Sequence, residues 1–159
     1  MKALAEKLGA RLKARGALLV TAESCTGGWV AEAVTAIAGS SEWFERGFVT
    51  YSNAAKEEML GVRAETLARH GAVSEETARE MALGALSHSR GSVALAITGV
   101  AGPTGGSRAK PVGTVCFAWA LQGRPASAET RHFAGDREAV RRQSVEHALA
   151  RVLELLDAG

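Results

Sequence analysis

Apolar side chains along this chain recur with two different spacings, which predict two kinds of element. Segments in which they return every three or four residues predict amphipathic helices, whereas short and nearly continuous apolar runs predict strands covered on both faces. The predicted helices cover 1–16, 29–37, 54–60 and 64–70, followed by a longer helix that begins at Ser74 and a last helix after Asp136. The predicted strands cover 17–22, 47–51, 92–98, 112 or 114 to 121, and 126–133.

Helices and strands alternate over the first two thirds of the chain, and this order predicts a mainly parallel sheet sandwiched between helices. The last two strands are separated only by the short segment 122–125, so we expect an antiparallel hairpin that makes the sheet mixed. A chain of 159 residues can bury a core without disulfides or metal. The expected fold class is therefore α/β, in one domain that covers 1–159.

Charged residues are spread along the chain rather than concentrated. The 19 basic and 17 acidic residues form no dense basic stripe, which argues against a nucleic-acid partner. No apolar run approaches the length of a membrane span, and segment 1–16 is amphipathic rather than a signal peptide, so we expect neither a membrane partner nor secretion. The two cysteines, Cys25 and Cys116, have no metal-ligand spacing, and reduced thiols fit a cytoplasmic protein.

A group of possible nucleophiles follows the first predicted strand. Segment 22–28 reads AESCTGG, so Ser24, Cys25 and Thr26 lie where a strand turns into a helix. The first turn of a helix presents free N–H groups that favour an anion or a developing oxyanion. From this motif alone, Ser24 is either a nucleophile or, like Thr26, a helix cap. Cys25 is a rival nucleophile, although it also fits as the donor of a backbone N–H to an oxyanion hole.

Further polar residues follow the second and third predicted strands. Tyr51 ends one of them, and Thr98 leads into segment 99–113, which holds five glycines. Because ligands of parallel sheets bind at the carboxyl ends of the strands, we expect Ser24, Tyr51 and Thr98 to border one site. The glycines let backbone N–H groups approach a phosphate, although the same segment also fits a long surface turn.

A serine nucleophile needs a base, and here a lysine fits better than a histidine. None of the four histidines lies beside a predicted strand end with a nearby acid, which argues against a Ser-His-Asp triad. Lys56 can act as the base only if its pKa falls from about 10.4 to about 7 to 8 by desolvation or a neighbouring cation. Tyr51 would orient the amine or relay a proton. The alternative is a solvated helix lysine and an aromatic residue at a sheet edge.

Two arginines lie one turn apart near the start of the last predicted helix. Arg137 and Arg141 are placed where the helix dipole disfavours a cation by roughly 0.3 to 1 kcal/mol each. A ligand phosphate held by one or both side chains would compensate for this placement. A surface pair with Asp136, Glu138 or another acid explains it equally well.

Four motifs that occur in order, AESCTGG, RGFVTYSNAAK, ITGVAGPTGG with KPVGTV, and FAGDREAVR, are more specific together than any one of them. They resemble the C-terminal domain of the competence-damage-inducible protein family, CinA, over nearly the whole chain, and most of all its stand-alone nicotinamide-nucleotide amidases. The resemblance implies a three-layer α/β/α sandwich with a mixed, mainly parallel sheet, and a homodimer. We expect no activity of the larger N-terminal domain that two-domain relatives carry.

The resemblance also implies a reaction and the residues that perform it. The reaction is hydrolysis of the carboxamide of nicotinamide mononucleotide to nicotinate mononucleotide and ammonia, without a metal or other cofactor, in pyridine-nucleotide recycling. Ser24 is similar to the nucleophile of the family, Lys56 to its base and Tyr51 to a supporting catalytic group. The motifs and the resemblance together give the residues expected to bind substrate as Cys25, Thr26, Gly27, Thr98, Gly99, Gly102, Gly105, Gly106, Arg137 and Arg141. The alternative function is a non-catalytic nucleotide-binding module that regulates a partner protein.

Overall fold

The computed structural model describes all residues from Met1 to Gly159 as six α-helices and one sheet of five strands. The helices are α1 (Lys2–Ala14), α2 (Trp29–Thr35), α3 (Asn53–Leu60), α4 (Ala64–His70), α5 (Glu75–Ser87) and α6 (Arg137–Ala158). The strands are β1 (Leu19–Glu23), β2 (Phe44–Val49), β3 (Val93–Gly99), β4 (Thr114–Leu121) and β5 (Ser127–His132). None of the helices combines the length and the apolarity needed to cross a bilayer.

The sheet has the strand order β2-β1-β3-β4-β5. Strand β1 pairs in parallel with both β2 and β3, while β4 pairs antiparallel with both β3 and β5. Strand β4 is therefore the only strand that runs against the others, and the expected mixed, mainly parallel sheet with a late hairpin is confirmed. The carboxyl ends of β2, β1 and β3 meet at one edge of the sheet, and the candidate site lies there.

The two faces of the sheet carry side chains of different size. In β3 and β4, the larger apolar residues face α1, α2 and α6, and alternate positions place alanines and Cys116 towards α5. The face of helix α5 that contacts the sheet also carries small residues, so the helix packs closely against the sheet. Helices α3 and α4 pack against α5, and a Cβ at Gly84 of α5 would collide with the carbonyl oxygen of Leu60 at the end of α3. This close contact fixes the helix that carries Lys56.

The periodicity of the two long C-terminal helical segments locates their buried faces correctly. In α5, helical spacing predicts five core residues, of which Leu86 is half-buried and the other four are buried: Ala78, Met81, Ala82 and Ala85. In α6, the five predicted core residues are all buried: Val145, Leu149, Val152, Leu153 and Leu156. Apolar spacing therefore predicts well which side of a helix faces the core.

Strand β2 differs from its predicted bounds, 47–51, at both ends. It begins at Phe44, where polar residues interrupt the apolar pattern, because an edge strand pairs with one neighbour only and leaves many side chains partly exposed. It ends at Val49, after which the N–H of Thr50 still donates to the carbonyl of Glu23 at 2.8 Å. The early end frees the carbonyl groups of Thr50 and Tyr51 from the sheet.

Candidate active site

A cavity of about 240 Å³ opens at the carboxyl ends of β1, β2 and β3. It is lined by Ser24, Tyr51 and Thr98, as the strand-end argument predicts, and also by Lys56 and part of the loop that follows β3. Its lining consists of Ser24, Cys25, Tyr51, Asn53, Lys56, Ala72, Val73, Thr98, Gly99, Ala101 and Arg137.

Ser24 and Lys56 are in direct contact in this cavity. The Nζ of Lys56 lies 3.0 Å from the Oγ of Ser24, and it donates to the carbonyl oxygens of Thr50 and Tyr51, each at 3.1 Å. A neutral amine has two N–H groups and one lone pair. In this arrangement Nζ donates to the Oγ of Ser24 as well, and that Oγ donates to the carbonyl oxygen of Tyr51 at 3.4 Å. When the amine is neutral, the two carbonyls can keep its two N–H groups while its lone pair faces the hydroxyl of Ser24, so the site can hold Lys56 as a free base that accepts this proton.

The chain positions Lys56 by burying it. Ser52 caps α3 by accepting a hydrogen bond from the N–H of Ala55 at 3.0 Å, and Lys56 follows in the first turns with its side chain directed inwards. The side chain is only 1% exposed. Burial disfavours the charged form and lowers the pKa of Lys56 from its ordinary value, an effect opposed by the neighbouring Cys25. The alternative of a solvated lysine is therefore wrong.

Tyr51 contacts the amine through its backbone rather than through its ring. Its carbonyl oxygen accepts from Lys56 and lies 3.4 Å from the Oγ of Ser24, while the side chain is 64% exposed at the mouth of the cavity. The structure thus provides a group that orients the amine at position 51, and this group is the peptide carbonyl.

Cys25 lies next to Ser24 but packs into the core. It is 6% exposed and belongs to the larger apolar cluster of the protein. Burial raises the pKa of its thiol to about 12, against a smaller lowering by its own backbone N–H. Because the thiolate is the reactive form, this cysteine is a poor nucleophile at neutral pH.

Glu23 caps helix α2, which sequence reasoning did not anticipate. Its Oε1 accepts from the hydroxyl of Thr26 at 2.6 Å and from the N–H of Val30 at 2.9 Å, and its Oε2 accepts from the N–H of Ala31 at 3.1 Å. Neither Ser24 nor Thr26 caps the helix, and the N-terminus of α2 already holds a carboxylate, so it is not the anion site expected there. The signal that could have found Glu23 is an acid placed directly after a buried apolar strand and before a Gly-Gly pair.

The two arginines of α6 occupy different places. Arg137 lines the cavity, and its Nη1 donates to the carbonyl oxygen of Gly102 at 2.8 Å. Arg141 does not line the cavity. Its Nε donates to the carbonyl of Cys25 at 3.1 Å and its Nη2 to the carbonyl of Thr26 at 3.2 Å, so it holds the turn that carries Ser24.

The remaining predicted substrate-binding residues divide in the same way. Thr98 and Gly99 line the cavity, and the hydroxyl of Thr98 donates to the carbonyl of Ala72 at 2.8 Å. The others lie outside the lining: Thr26, Gly27, Gly102, Gly105 and Gly106. Sequence reasoning missed Asn53, although its place three residues before Lys56 on the same helix face was a usable signal.

A larger cavity, about 630 Å³, lies between α5 and the β4–β5 hairpin and shares only Val73 with the first. Its lining is mostly polar and contains the buried Cys116, and burial raises the pKa of the Cys116 thiol above its ordinary value. No group of three or more His, Cys, Asp or Glu side chains in the protein is arranged to hold a metal ion. The pairing of a nucleophile with a base therefore singles out the smaller cavity.

Known proteins that are similar to this chain point to one family. The family described as the CinA C-terminal domain matches residues 1–156. A nicotinamide-nucleotide amidohydrolase PncC from Escherichia coli (strain K12) is 61% identical over 146 residues, which cover 92% of this chain and 88% of that protein. A protein of the same name from Pseudomonas putida is 53% identical over 96% of this chain and 94% of its own length.

Solved structures give the same result for the fold. A CinA superfamily protein from Klebsiella pneumoniae 700603 superposes with a TM-score of 0.95 at 44% identity, covering 99% of this chain and 98% of that one. The competence/damage inducible protein CihA from Agrobacterium tumefaciens gives 0.94 at 46% identity, covering 98% and 94%. The resemblance carried by the four sequence motifs is thus confirmed, and the chain belongs to the CinA C-terminal domain family.

Proposed function

We propose that this protein hydrolyses the carboxamide of nicotinamide mononucleotide to nicotinate mononucleotide and ammonia, with Ser24 as the nucleophile and Lys56 as the base. The observation that carries the proposal is the 3.0 Å contact between the Oγ of Ser24 and a buried amine whose pKa is lowered. The names of relatives at 53% to 61% identity support the choice of substrate.

In the first half of the reaction, Ser24 attacks the carboxamide carbon while neutral Lys56 takes the hydroxyl proton. The C–N bond then breaks, and the ammonium of Lys56 returns that proton to the leaving nitrogen, so ammonia departs. The carbonyl oxygens of Thr50 and Tyr51 hold the nitrogen of Lys56 in place in both steps, so that its lone pair faces Ser24 in the first and its added proton faces the leaving group in the second. The product of this half is an ester between Ser24 and the nicotinate group.

In the second half, water attacks the ester carbon and Lys56 takes the proton of the water. The bond between the carbonyl carbon and Ser24 breaks, and the proton returns to the Oγ of Ser24. Nicotinate mononucleotide leaves, and the free enzyme is restored with Lys56 neutral. Both halves pass through a tetrahedral oxyanion, for which the backbone N–H of Cys25, the residue after the nucleophile, is a suitable donor.

The rest of the cavity offers contacts for the nucleotide. We propose that Arg137 binds the 5′-phosphate by a charge-assisted hydrogen bond, since it is the only charged side chain of the lining when Lys56 is neutral. Thr98 and Gly99 border the same cavity from β3. The recycling of pyridine nucleotides, a cytoplasmic location and a homodimer follow from the resemblance alone and stay predictions. The mass of the protein in solution tests the last of them.

The reaction is tested by incubating purified, chelator-treated protein with nicotinamide mononucleotide and following ammonia and nicotinate mononucleotide together. We expect the two products in equal amounts. If neither forms while the nucleotide still raises the melting temperature, the protein is a nucleotide-binding module and not an amidase.

A further inference from the structure

The guanidinium of Arg141 is devoted to the backbone of the turn formed by residues 24–27. Besides its two hydrogen bonds to the carbonyls of Cys25 and Thr26, it lies 5.4 Å from the centre of the Trp29 ring. It forms no ion pair with a carboxylate, although most other arginines of the chain that form contacts pair with an acid. Its charge is thus directed at peptide groups.

Three consecutive carbonyl groups of this turn have fixed partners. The carbonyl of Ser24 accepts from the N–H of Gly27 at 3.0 Å, and the carbonyls of Cys25 and Thr26 accept from Arg141. In a planar trans peptide the C=O and the N–H point in opposite directions. The N–H of Cys25 shares a peptide with the carbonyl of Ser24, and that of Thr26 shares one with the carbonyl of Cys25. Fixing these carbonyls therefore fixes the direction of both N–H groups.

Neither of these two N–H groups donates a hydrogen bond to another residue. Neither Cys25 nor Thr26 donates a backbone hydrogen bond, whereas the N–H groups of Ser24, Gly27 and Trp29 all do. Buried peptide donors are almost always paired. A carbonyl that accepts a hydrogen bond also polarises its own peptide and strengthens the N–H as a donor. Arg141 therefore aims and strengthens the N–H of Thr26 directly. It acts on the N–H of Cys25 through Gly27, whose own N–H shares a peptide with the Thr26 carbonyl and donates to the carbonyl of Ser24.

Gly27 gives the turn the backbone conformation to which Arg141 binds. Its φ of +57° lies in the left-handed region that favours glycine. Gly27 and Arg141 on the distant helix α6 thus both maintain the conformation of the turn formed by residues 24–27.

We propose that Arg141 is a positioning residue, not a ligand of the substrate: it holds the turn so that the N–H groups of Cys25 and Thr26 stabilise the oxyanion. This inference rests on the proposed function, because it needs a tetrahedral intermediate on Ser24. It also separates the two arginines of α6 into one that contacts the cavity and one that acts through the backbone.

The test compares Arg141→Met and Arg141→Lys with a matched control, Arg142→Met. Arg142 also lies over the Trp29 ring, at 5.8 Å, but pairs with Glu138 on the surface. The readouts are kcat and KM for nicotinamide mononucleotide, the melting temperature, and the affinity for the 3-formyl analogue of the nucleotide, whose aldehyde forms a tetrahedral adduct with a serine.

We expect Arg141→Met to lower kcat by about 10²-fold, as the loss of an oxyanion donor does, and to change KM by less than about threefold. Affinity for the aldehyde should fall in proportion to kcat, Arg141→Lys should recover part of both, and Arg142→Met should match the wild type.

A raised KM with an unchanged kcat would make Arg141 a substrate ligand and overturn the inference, as would a kcat loss without a loss of aldehyde affinity. If Ser24→Ala kept full turnover, the proposed function itself would fail; if Ser24→Ala is inactive and the Arg141 variants are not impaired, only this inference fails.

Discussion

The cavity side and the core side of the turn at residues 24–27 each bury one titratable group, with opposite chemical consequences. On the cavity side, burial lowers the pKa of the Lys56 amine, and on the core side it raises the pKa of the Cys25 thiol to about 12. In both cases burial favours the uncharged form. The uncharged amine is the reactive form of a lysine, whereas the uncharged thiol is the unreactive form of a cysteine.

One physical effect therefore selects between two adjacent nucleophiles. Cys25 is intrinsically the better nucleophile, but its thiol is buried with the larger apolar cluster, and its raised pKa keeps it protonated. Ser24 is intrinsically weaker, but its hydroxyl lies 3.0 Å from a buried amine. The base and its burial, rather than the identity of the nucleophilic atom, therefore decide which residue of this motif can react.

The largest effect is expected from replacing Ser24 and Cys25 by alanine, one at a time. Ser24→Ala should lower kcat by about 10³-fold or more, because it removes the nucleophile. Cys25→Ala keeps the backbone N–H and should change kcat by less than about threefold, with a loss of about 1 kcal/mol in the free energy of unfolding. Steady-state kinetics of ammonia release and denaturant unfolding measure these effects. An inactive Cys25→Ala beside an active Ser24→Ala would reverse the assignment.

Removing the base should be nearly as severe. Lys56→Met should lower kcat by about 10²- to 10⁴-fold, the usual contribution of a positioned base. Lys56→Arg should be equally inactive, because a guanidinium cannot lose its proton at neutral pH. Lys7→Met, on the exposed face of α1, is the control and should keep full activity. Full turnover by Lys56→Arg would mean that position 56 supplies charge and not a base.

Arg137 should affect binding rather than chemistry. Loss of a charge-assisted hydrogen bond worth about 1.5 to 3 kcal/mol corresponds to a rise in KM of roughly ten- to a hundredfold in Arg137→Met. The same variant should handle nicotinamide riboside, which has no phosphate, about as well as the wild type does. An equal loss on both substrates would show that Arg137 does not bind the phosphate. Kinetics on the two compounds therefore separate the cavity arginine from Arg141.

The pH dependence should follow Lys56 and not Cys25. Because the pKa of Lys56 lies below its ordinary value, the neutral amine is populated above that lowered pKa and is lost as the pH falls through it. We expect kcat/KM to fall about tenfold per pH unit on the acid side. As the pH rises, kcat/KM should reach its plateau before pH 10.5, the ordinary pKa of the amine. Cys25→Ala should leave the profile unchanged. A flat profile from pH 5 to 9, with chemistry limiting the rate, would argue against Lys56 as the base.

Residue types and spacing are sufficient for the fold class and for the meeting of Ser24, Tyr51 and Thr98 at one edge of the sheet, whereas the place of Lys56 beside Ser24 was expected from the need for a base and from the resemblance. Apolar periodicity locates the strands, and their carboxyl ends must share one edge of the sheet. The backbone partners of Lys56 were not predictable in this way. They depend on where β2 ends, and an edge strand with many exposed side chains gives a weak signal for its bounds.

Glu23 and Arg141 show a second limit of the sequence. Both act on main-chain groups of the turn that carries Ser24, through contacts that reach from the end of β1 and from α6. Spacing along one element cannot reveal a side chain from a distant helix that binds a carbonyl. A cation near a helix N-terminus suggested that Arg141 binds an anion such as a phosphate. The sequence could not show that its partners are the carbonyls of Cys25 and Thr26.

The most direct test of the account is the titration of the Lys56 amine itself. The Nζ resonance of Lys56 in protein labelled with ¹⁵N-lysine, assigned by its loss in Lys56→Arg, reports its protonation at each pH. We expect the amine to titrate with a midpoint below its ordinary pKa of 10.5, at the same pH at which kcat/KM falls on the acid side. A midpoint at or above 10.5 would mean that the amine is charged whenever the enzyme works, and Lys56 could not then be the base that activates Ser24.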